Sequence, residues 1–491
     1  MNHGNFFTTN RRHFLQAGLA GAAMAGLPER AMSASKTGNP RKVSTGAPQI
    51  FVDLDGVEKL DNVQQLFHQA KKHPENPVLY GERPWEASGY GFVTSVVYDE
   101  EEKLFKCWYQ GAIGCVAGPV HTRGPHVLCY ATSTDGIHWE RPVLGLHEFE
   151  GSKKNNIVVP QSYHNGEDHW ESVLKDSFDV DEQARYKGFG WSSETGGLHT
   201  MTSPDGLRWK HSPGVVVPGG DAHAMMIDSL NRRYVLFVRG GDPTGVHYSS
   251  DFVNWSDRDN GAIRWLGPGS CYNQVGFVYG DSYLGIVSYY QPHNDFLMDA
   301  RLLSSLDGLH YELPGPDPLT RPALVQMGQI GDWDRLQTRL TGGPPAVVGD
   351  KIYLYYRGFS TSHDKGNPPK DHYYAGAMGL ATLRRDGFAS LAAGFDGGSV
   401  TTRPVEFEGS NAVLRLNAKA DHHARVEVEV LDAQGKTLGD YAGDAVIPVK
   451  GDGVNLSATW KNRKSIGELA GRSIRLRFKL TNARLYSYTI I

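Results

Sequence analysis

The sequence predicts an all-β chain: a five-bladed β-propeller followed by a C-terminal β-sandwich. Three observations predict it. A hairpin motif recurs five times, each copy follows a set of short strand-like runs, and the last part of the chain switches to period-two alternation. The motif is clearest in Ser133-Thr134-Asp135-Gly136-Ile137-His138-Trp139 and Ser203-Pro204-Asp205-Gly206-Leu207-Arg208-Trp209. Ser305-Leu306-Asp307-Gly308-Leu309-His310-Tyr311 keeps it with tyrosine for tryptophan. Ser249-Ser250-Asp251-Phe252-Val253-Asn254-Trp255 loses the glycine, and Arg385-Asp386-Gly387-Phe388 is a degenerate fifth copy. Asp-Gly between β-rich runs marks a tight turn, because glycine accepts positive φ and the Asp side chain bonds nearby backbone. Repetition at intervals of roughly 45 to 80 residues implies one supersecondary unit per copy.

In chain order, residues 1–35 read as an address. Asn10-Arg11-Arg12-His13-Phe14-Leu15 precedes a small, apolar run from Ala17 to Leu27 and then Ala31-Met32-Ser33-Ala34. This resembles a twin-arginine export signal and implies a periplasmic or secreted bacterial protein. Residues 36–48 form a polar linker. Gln49–Asp53 reads as a short strand, a candidate to close the ring on the last blade, and Asp55–His73 carries a helical pattern ending before Pro74.

The propeller is expected over residues 49–393. The first blade takes Phe92–Tyr98, Leu104–Tyr109 and Val127–Thr132; the second Val173–Lys175, Tyr186–Trp191 and Leu198–Thr202. The third takes Ala222–Ile227, Tyr234–Arg239 and Val246–Ser249; the fourth Gln274–Tyr279, Tyr283–Tyr290 and Arg301–Ser304. Pro345–Val348, Ile352–Arg357 and Ala375–Leu383 make the fifth. Their apolar runs are continuous, as for strands buried on both faces between blades. From residue 394 to 491, Ala424–Leu431 and Ser473–Leu480 alternate cleanly, which predicts half-buried antiparallel strands of a sandwich that packs structurally on the propeller, with sugar binding as the alternative role.

Composition narrows the function classes. Of 491 residues, 40% are hydrophobic and 21% charged, with a formal net charge of -4, which argues against a nucleic-acid partner because phosphate neutralisation needs surplus Lys and Arg. No run reaches the ~18 apolar residues of a membrane span. The four cysteines (Cys107, Cys115, Cys129, Cys271) lack metal-site spacing and read best as buried thiols. Tyr 23 and Trp 10 suit a sugar-facing surface.

Cys129-Tyr130-Ala131-Thr132-Ser133-Thr134-Asp135-Gly136-Ile137-His138-Trp139-Glu140-Arg141-Pro142 resembles the strand–hairpin segment of the five-bladed glycoside hydrolases of families 32, 43 and 68. The repeat extends the resemblance over roughly residues 80–393. It implies hydrolysis of, or transfer from, furanosides and some pyranosides by carboxylates on the innermost strands of the first three blades, facing a central funnel. One carboxylic acid protonates the leaving oxygen, and a carboxylate attacks the anomeric carbon or activates water. The literal family motifs Asn-Asp-Pro-Asn-Gly, Arg-Asp-Pro and Glu-Cys are absent from the corresponding blades.

Transfer by strand position therefore picks the candidates. Glu86, beside Trp85, is the first-blade carboxylate, expected as nucleophile or base. Glu171 is the second, expected to orient substrate or tune the acid, with Asp168, His169 and Trp170 flanking it. Asp221, opening the third inner strand beside His223, is the expected general acid. Arg239 and Arg357, at second-strand ends, offer guanidinium forks for carboxylate or sulfate, which makes an anionic sugar one candidate substrate. Asn273 and Asp334 are further funnel candidates. No organic cofactor is expected, and an axial divalent metal such as calcium is compatible with the funnel. Two rivals share these features: a non-catalytic carbohydrate-binding propeller, and a sialidase-like hydrolase. The latter needs three converging arginines and a Tyr–Glu pair, and the strand ends offer two arginines.

Overall fold

Blades and axis

In the computed structural model, residues 39–86, 93–112, 126–160, 168–219, 223–239, 244–263, 269–316, 320–363 and 376–491 are described. The twin-arginine segment lies outside them, as do Asp221 and Cys115. Among these residues the regular structure is strand, with short 3-10 turns and no α-helix. The fold is a five-bladed β-propeller followed by a β-sandwich.

Blade 1 orders Val93–Asp99, Leu104–Ala112, His126–Ser133 and Ile157–Val159 from the axis outward, and blade 2 orders Asp168–Lys175, Tyr186–Ser192, Gly197–Ser203 and Lys210–His211. Blade 3 has Ala224–Asp228, Arg233–Val238 and Gly245–Ser249; blade 4 has Ser270–Tyr279, Ser282–Gln291, Leu297–Ser305 and Tyr311–Glu312. In blade 5 the inner strand is broken: Gln337–Leu340 and Ala346–Val348 both pair with Lys351–Phe359, which pairs with Ala377–Arg384. The ring is closed by Lys71–Lys72, which pairs with Thr382 and Ala381 as the outer edge of blade 5. His126–Ser133 is buried at all but one residue, as expected for a strand packed between blades.

The axis is filled. Ser172 Oγ donates to the Gly342 carbonyl at 2.5 Å and accepts the Met225 N–H at 3.2 Å, while Ser95 Oγ accepts the Val173 N–H at 3.0 Å. These bonds tie blades 1, 2, 3 and 5 at the point where their inner strands meet. Gly342 is required there, since a Cβ would run into the Glu171 carbonyl.

Turns that lock the blades

In the hairpin motif, Asp135 Oδ1 accepts the Ile137 and His138 N–H groups at 2.8 and 2.9 Å, and Ser133 Oγ accepts that of Gly136 at 2.8 Å. Gly136, Gly206 and Gly308 have φ of +77°, +75° and +75°. Phe252 holds the same position at φ +64°, so the copy that lacks the glycine keeps the turn at the cost of strain. These turns also receive the neighbouring blade: Tyr355 Oη donates to the Gly136 carbonyl at 2.8 Å, and Trp108 Nε1 to that of Gly206 at 2.7 Å.

A second lock sits where the inner strands end. Asp99 accepts from Lys106 and Lys175, each at 2.9 Å, and from Tyr186 Oη of blade 2 at 3.2 Å. Asp176 accepts Tyr234 Oη of blade 3 at 2.5 Å. Asp228 accepts Tyr283 Oη of blade 4 and Arg233 Nε, both at 2.8 Å. Burial pushes the Asp99 carboxyl up, but the two lysines outweigh it and hold it well below the usual range.

A sandwich built from both ends of the chain

The sandwich takes strands from both sides of the propeller. Arg41–Lys42, Gln49–Ile50, Val57–Asp61 and Gln64–Phe67 pair with strands from the 389–490 region. The helix expected over Asp55–His73 is thus strand, because its apolar residues meet an existing sheet edge. Gln49–Ile50 pairs with Tyr488 and Ser487 of the sandwich rather than with the last blade. Ile474–Thr481 alternates buried and less buried residues around a core that includes Trp460, Phe478 and Leu476.

The fifth motif copy serves the junction. Asp386 accepts Tyr279 Oη at 2.8 Å, Ser487 Oγ at 2.6 Å and Asn417 Nδ2 at 3.1 Å. The sandwich therefore meets blade 4 at Tyr279, the far end of the strand whose other end carries Tyr272. Seven residues of strand put ~23 Å between those two backbone positions.

Candidate functional site

Three inner strands carry a β-bulge near their starts, where register shifts by one residue: at Thr94 between Val93 and Ser95, at Glu171 between Trp170 and Ser172, and at Tyr272 between Cys271 and Asn273. A bulge adds one unpaired residue and re-aims its side chain. Counting back five residues from Asp99, Asp176 and Asp228 gives Thr94, Glu171 and His223. Glu171 and Tyr272 are thereby turned out of the regular alternation near the starts of the inner strands of blades 2 and 4.

Arginines gather around them. The Arg239 and Arg339 guanidiniums stand 4.4 and 4.5 Å from the centre of the Tyr272 ring, and Arg339 is also 4.8 Å from that of Phe359. Arg339 Nε donates to Gln337 Oε1 at 2.8 Å, and its NH2 lies 3.0 Å from His363 Nδ1. His363 packs edge-on to Tyr272, with ring centres 4.6 Å apart. Arg357 lies directly opposite Arg339 in the antiparallel pairing. Both are buried, at 4% exposure for Arg339 and 9% for Arg357, and Arg357 Nε has no hydrogen-bond partner. Burial pushes the Arg357 guanidinium down from its ordinary value; Glu171 opposes that and Arg339 adds to it. The arrangement joins one carboxylate, one phenol and three guanidiniums, which suits a polar substrate carrying negative charge.

The other expected residues fall in several places. Glu86 is a correction. It is 0% exposed, and its carboxylate accepts from Tyr109 Oη at 2.6 Å, Arg141 Nε at 2.9 Å and the N–H groups of Glu82 and Arg83 at 3.1 and 3.3 Å. All four lone-pair directions are taken, so nothing remains to meet a sugar. Trp85 Nε1 bonds Asn156 Oδ1 at 2.8 Å and its ring packs on Phe149, also within the fold. Trp170 is a core residue set against His211. Asp334 is buried and bound by Lys72 Nζ at 2.5 Å and Tyr356 Oη at 2.7 Å, which fastens the closing strand to blade 5. Asn273 is buried beside Tyr272 with Oδ1 unbonded. His223 is fully enclosed, and its Nδ1 accepts the Arg239 N–H at 3.2 Å, which leaves the neutral ring's proton on Nε2. Asp168 and His169 open the blade 2 inner strand; their side chains, like Asp221, lie outside the described residues.

Sequence reading missed Tyr272, Arg339 and His363. Gln337–Leu340 was hidden because Gly342-Gly343-Pro344-Pro345 reads as a loop that begins a strand rather than one that interrupts it. Cys107, Cys129 and Cys271 are free thiols. No group of three or more His, Cys, Asp or Glu suited to a metal occurs among the described residues. No helix among them is long and apolar enough to cross a membrane.

No protein-family model matches the chain, and no curated protein matches it. Among solved structures it is similar to an N-acetylgalactosamine deacetylase from F. plautii in complex with blood group B trisaccharide, at TM-score 0.43 and 14% identity, covering 67% of this chain and 97% of that one. It is similar to a glycosyl hydrolase from Bacteroides ovatus, at TM-score 0.41 and 13% identity, covering 65% and 94%. It is also similar to a β-1,2-mannobiose phosphorylase from Listeria innocua, at 0.42 and 12%, covering 65% and 97%. At these scores nothing about the reaction passes from them to this chain.

Proposed function

We propose that the protein is an exported glycoside hydrolase whose funnel holds Glu171 as nucleophile or general base. The observation that supports this most is the bulge at Glu171, whose charge acts on Arg357. An ionised carboxylate beside a guanidinium is suited to attack the anomeric carbon or to take a proton from water. This changes the role expected for Glu171 and leaves Glu86 to the fold. Asp221 is retained as general acid from its chain position, two residues before His223. It would protonate the glycosidic oxygen as the carbon–oxygen bond breaks, and water would complete the hydrolysis.

The test is sugar release by the purified mature chain from a panel of furanosides, pyranosides and uronic-acid or sulfated oligosaccharides, read by mass spectrometry. Glu171→Gln should lower the rate by about 10² to 10⁴-fold while the melting temperature stays within a few degrees. Unchanged activity in Glu171→Gln ends the assignment. Tight binding of one glycan with no product from any would favour the carbohydrate-binding propeller.

A sialidase-like reading gains support from one observation: Arg339 supplies the third arginine, beside Tyr272. In that reading Tyr272 is the nucleophile, and Tyr272→Phe abolishes turnover. If Glu171 attacks, the same variant retains a measurable rate.

A further inference from the structure

Arg339 and Arg357 are directly cross-strand neighbours, so their side chains share one face of the blade 5 sheet. Like charges in that position destabilise a sheet, and burial makes the repulsion worse. Elsewhere in this protein the buried Lys106 meets Asp99, and the half-buried Arg233 and Arg141 meet Asp228 and Glu86. Here the bonded partners of Arg339 are Gln337 and His363, neither an anion, and among the described residues no hydrogen bond reaches Arg357. Glu171 is the one carboxylate whose charge acts on Arg357, so among the described residues a single carboxylate stands against two neighbouring guanidiniums.

We infer that Arg339 and Arg357 form an oxyanion subsite for a carboxylate or sulfate group on the sugar, flanked by the Tyr272 ring and Asn273. The inference rests on reading this funnel as a glycan site, and it names the substrate class. Arg339 gives its Nε and NH2 donors to Gln337 and His363, which leaves its NH1 group, with the Arg357 guanidinium, to meet the oxygens of a carboxylate or sulfate, and the Tyr272 ring offers an apolar face to the pyranose or furanose. Ligand charge would then supply the compensation that the protein omits.

The experiment is calorimetric binding to the full mature chain, which needs no turnover. The probes are glucuronic acid, galacturonic acid, N-acetylneuraminic acid and galactose 6-sulfate, with neutral glucose, galactose and N-acetylmannosamine beside them. At least one anionic sugar should bind tenfold or more tightly than its neutral counterpart and weaken as salt rises. Arg339→Gln and Arg357→Gln should each remove most of that preference and keep or raise the melting temperature. Preference for the acids over the sulfate assigns a carboxylate, and the reverse assigns a sulfate. Equal binding of all charged and neutral pairs overturns the subsite, as does an anion preference that survives both substitutions. Anion binding without any product would keep this inference and sink the hydrolase; product from neutral glycans with no anion preference would do the opposite.

Discussion

The two ends of the inner strands treat charge in opposite ways. At the turn end, Asp99, Asp176 and Asp228 are buried, and each is bonded to a tyrosine of the next blade and close to a lysine or arginine of its own. At the start, Arg339 and Arg357 are buried side by side with no carboxylate bonded to either among the described residues. The first arrangement is what a fold needs to hold blades together. The second costs stability, and a cost that Glu171 compensates only in part marks the place where a ligand does the rest.

The contrast can be broken most directly at the turn end. Asp228→Ala should cost ~3–5 kcal/mol, because Arg233 would be left without its buried carboxylate and Tyr283 without its acceptor. Urea unfolding measures it, and a loss under ~1 kcal/mol would place Asp228 with surface pairs instead of locks. Gly206→Ala should cost less, ~1–3 kcal/mol. It forces a side chain into φ +75° and sets a Cβ 2.5 Å from the Trp108 ring. If the variant unfolds at the wild-type urea midpoint, the hairpin is not a fixed seat for the neighbouring blade.

A smaller effect should appear in acid. For Asp307, burial pushes the carboxyl up, but His310, the N–H groups of His310 and Leu309, and Ser305 outweigh it and bring it to about 2. Asp99, Asp135 and Asp251 are lowered as well. A carboxyl depressed in the folded state binds protons more readily once unfolded. Its contribution is therefore fully present above about pH 4 and is lost as pH falls toward 2. Melting temperatures followed from pH 6 to pH 2 should decline only in that acid limb, and Asp307→Asn should flatten the decline slightly. Smallest of all should be the stability change in Arg357→Gln, near zero or favourable, against the large loss in Asp228→Ala.

The hairpin motif was legible in the sequence because everything it needs is local. Ser133, Asp135 and Gly136 satisfy one another within four residues, and the repeat then counts the blades. The period-two runs after residue 394 were legible for the same reason, since alternation and burial on one face are properties of a single strand. Glu171 could be chosen from the sequence as a carboxylate near an inner strand, but not as a bulge residue, because a bulge exists only against the register of Tyr186–Ser192. Glu86 looked equally eligible until Tyr109 and Arg141 enclosed it from 23 and 55 residues away.

The sequence by itself determined the all-β class, the number of blades and the turns that end their third strands, because these follow from short-range hydrogen bonding and hydrophobic periodicity. Only the tertiary structure decided which acids are neutralised, that strands before residue 68 belong to the sandwich, and that Arg339 stands beside Arg357. Each of those depends on which distant segment arrives as partner, and the energy of a buried charge is set by that partner and not by the residue alone.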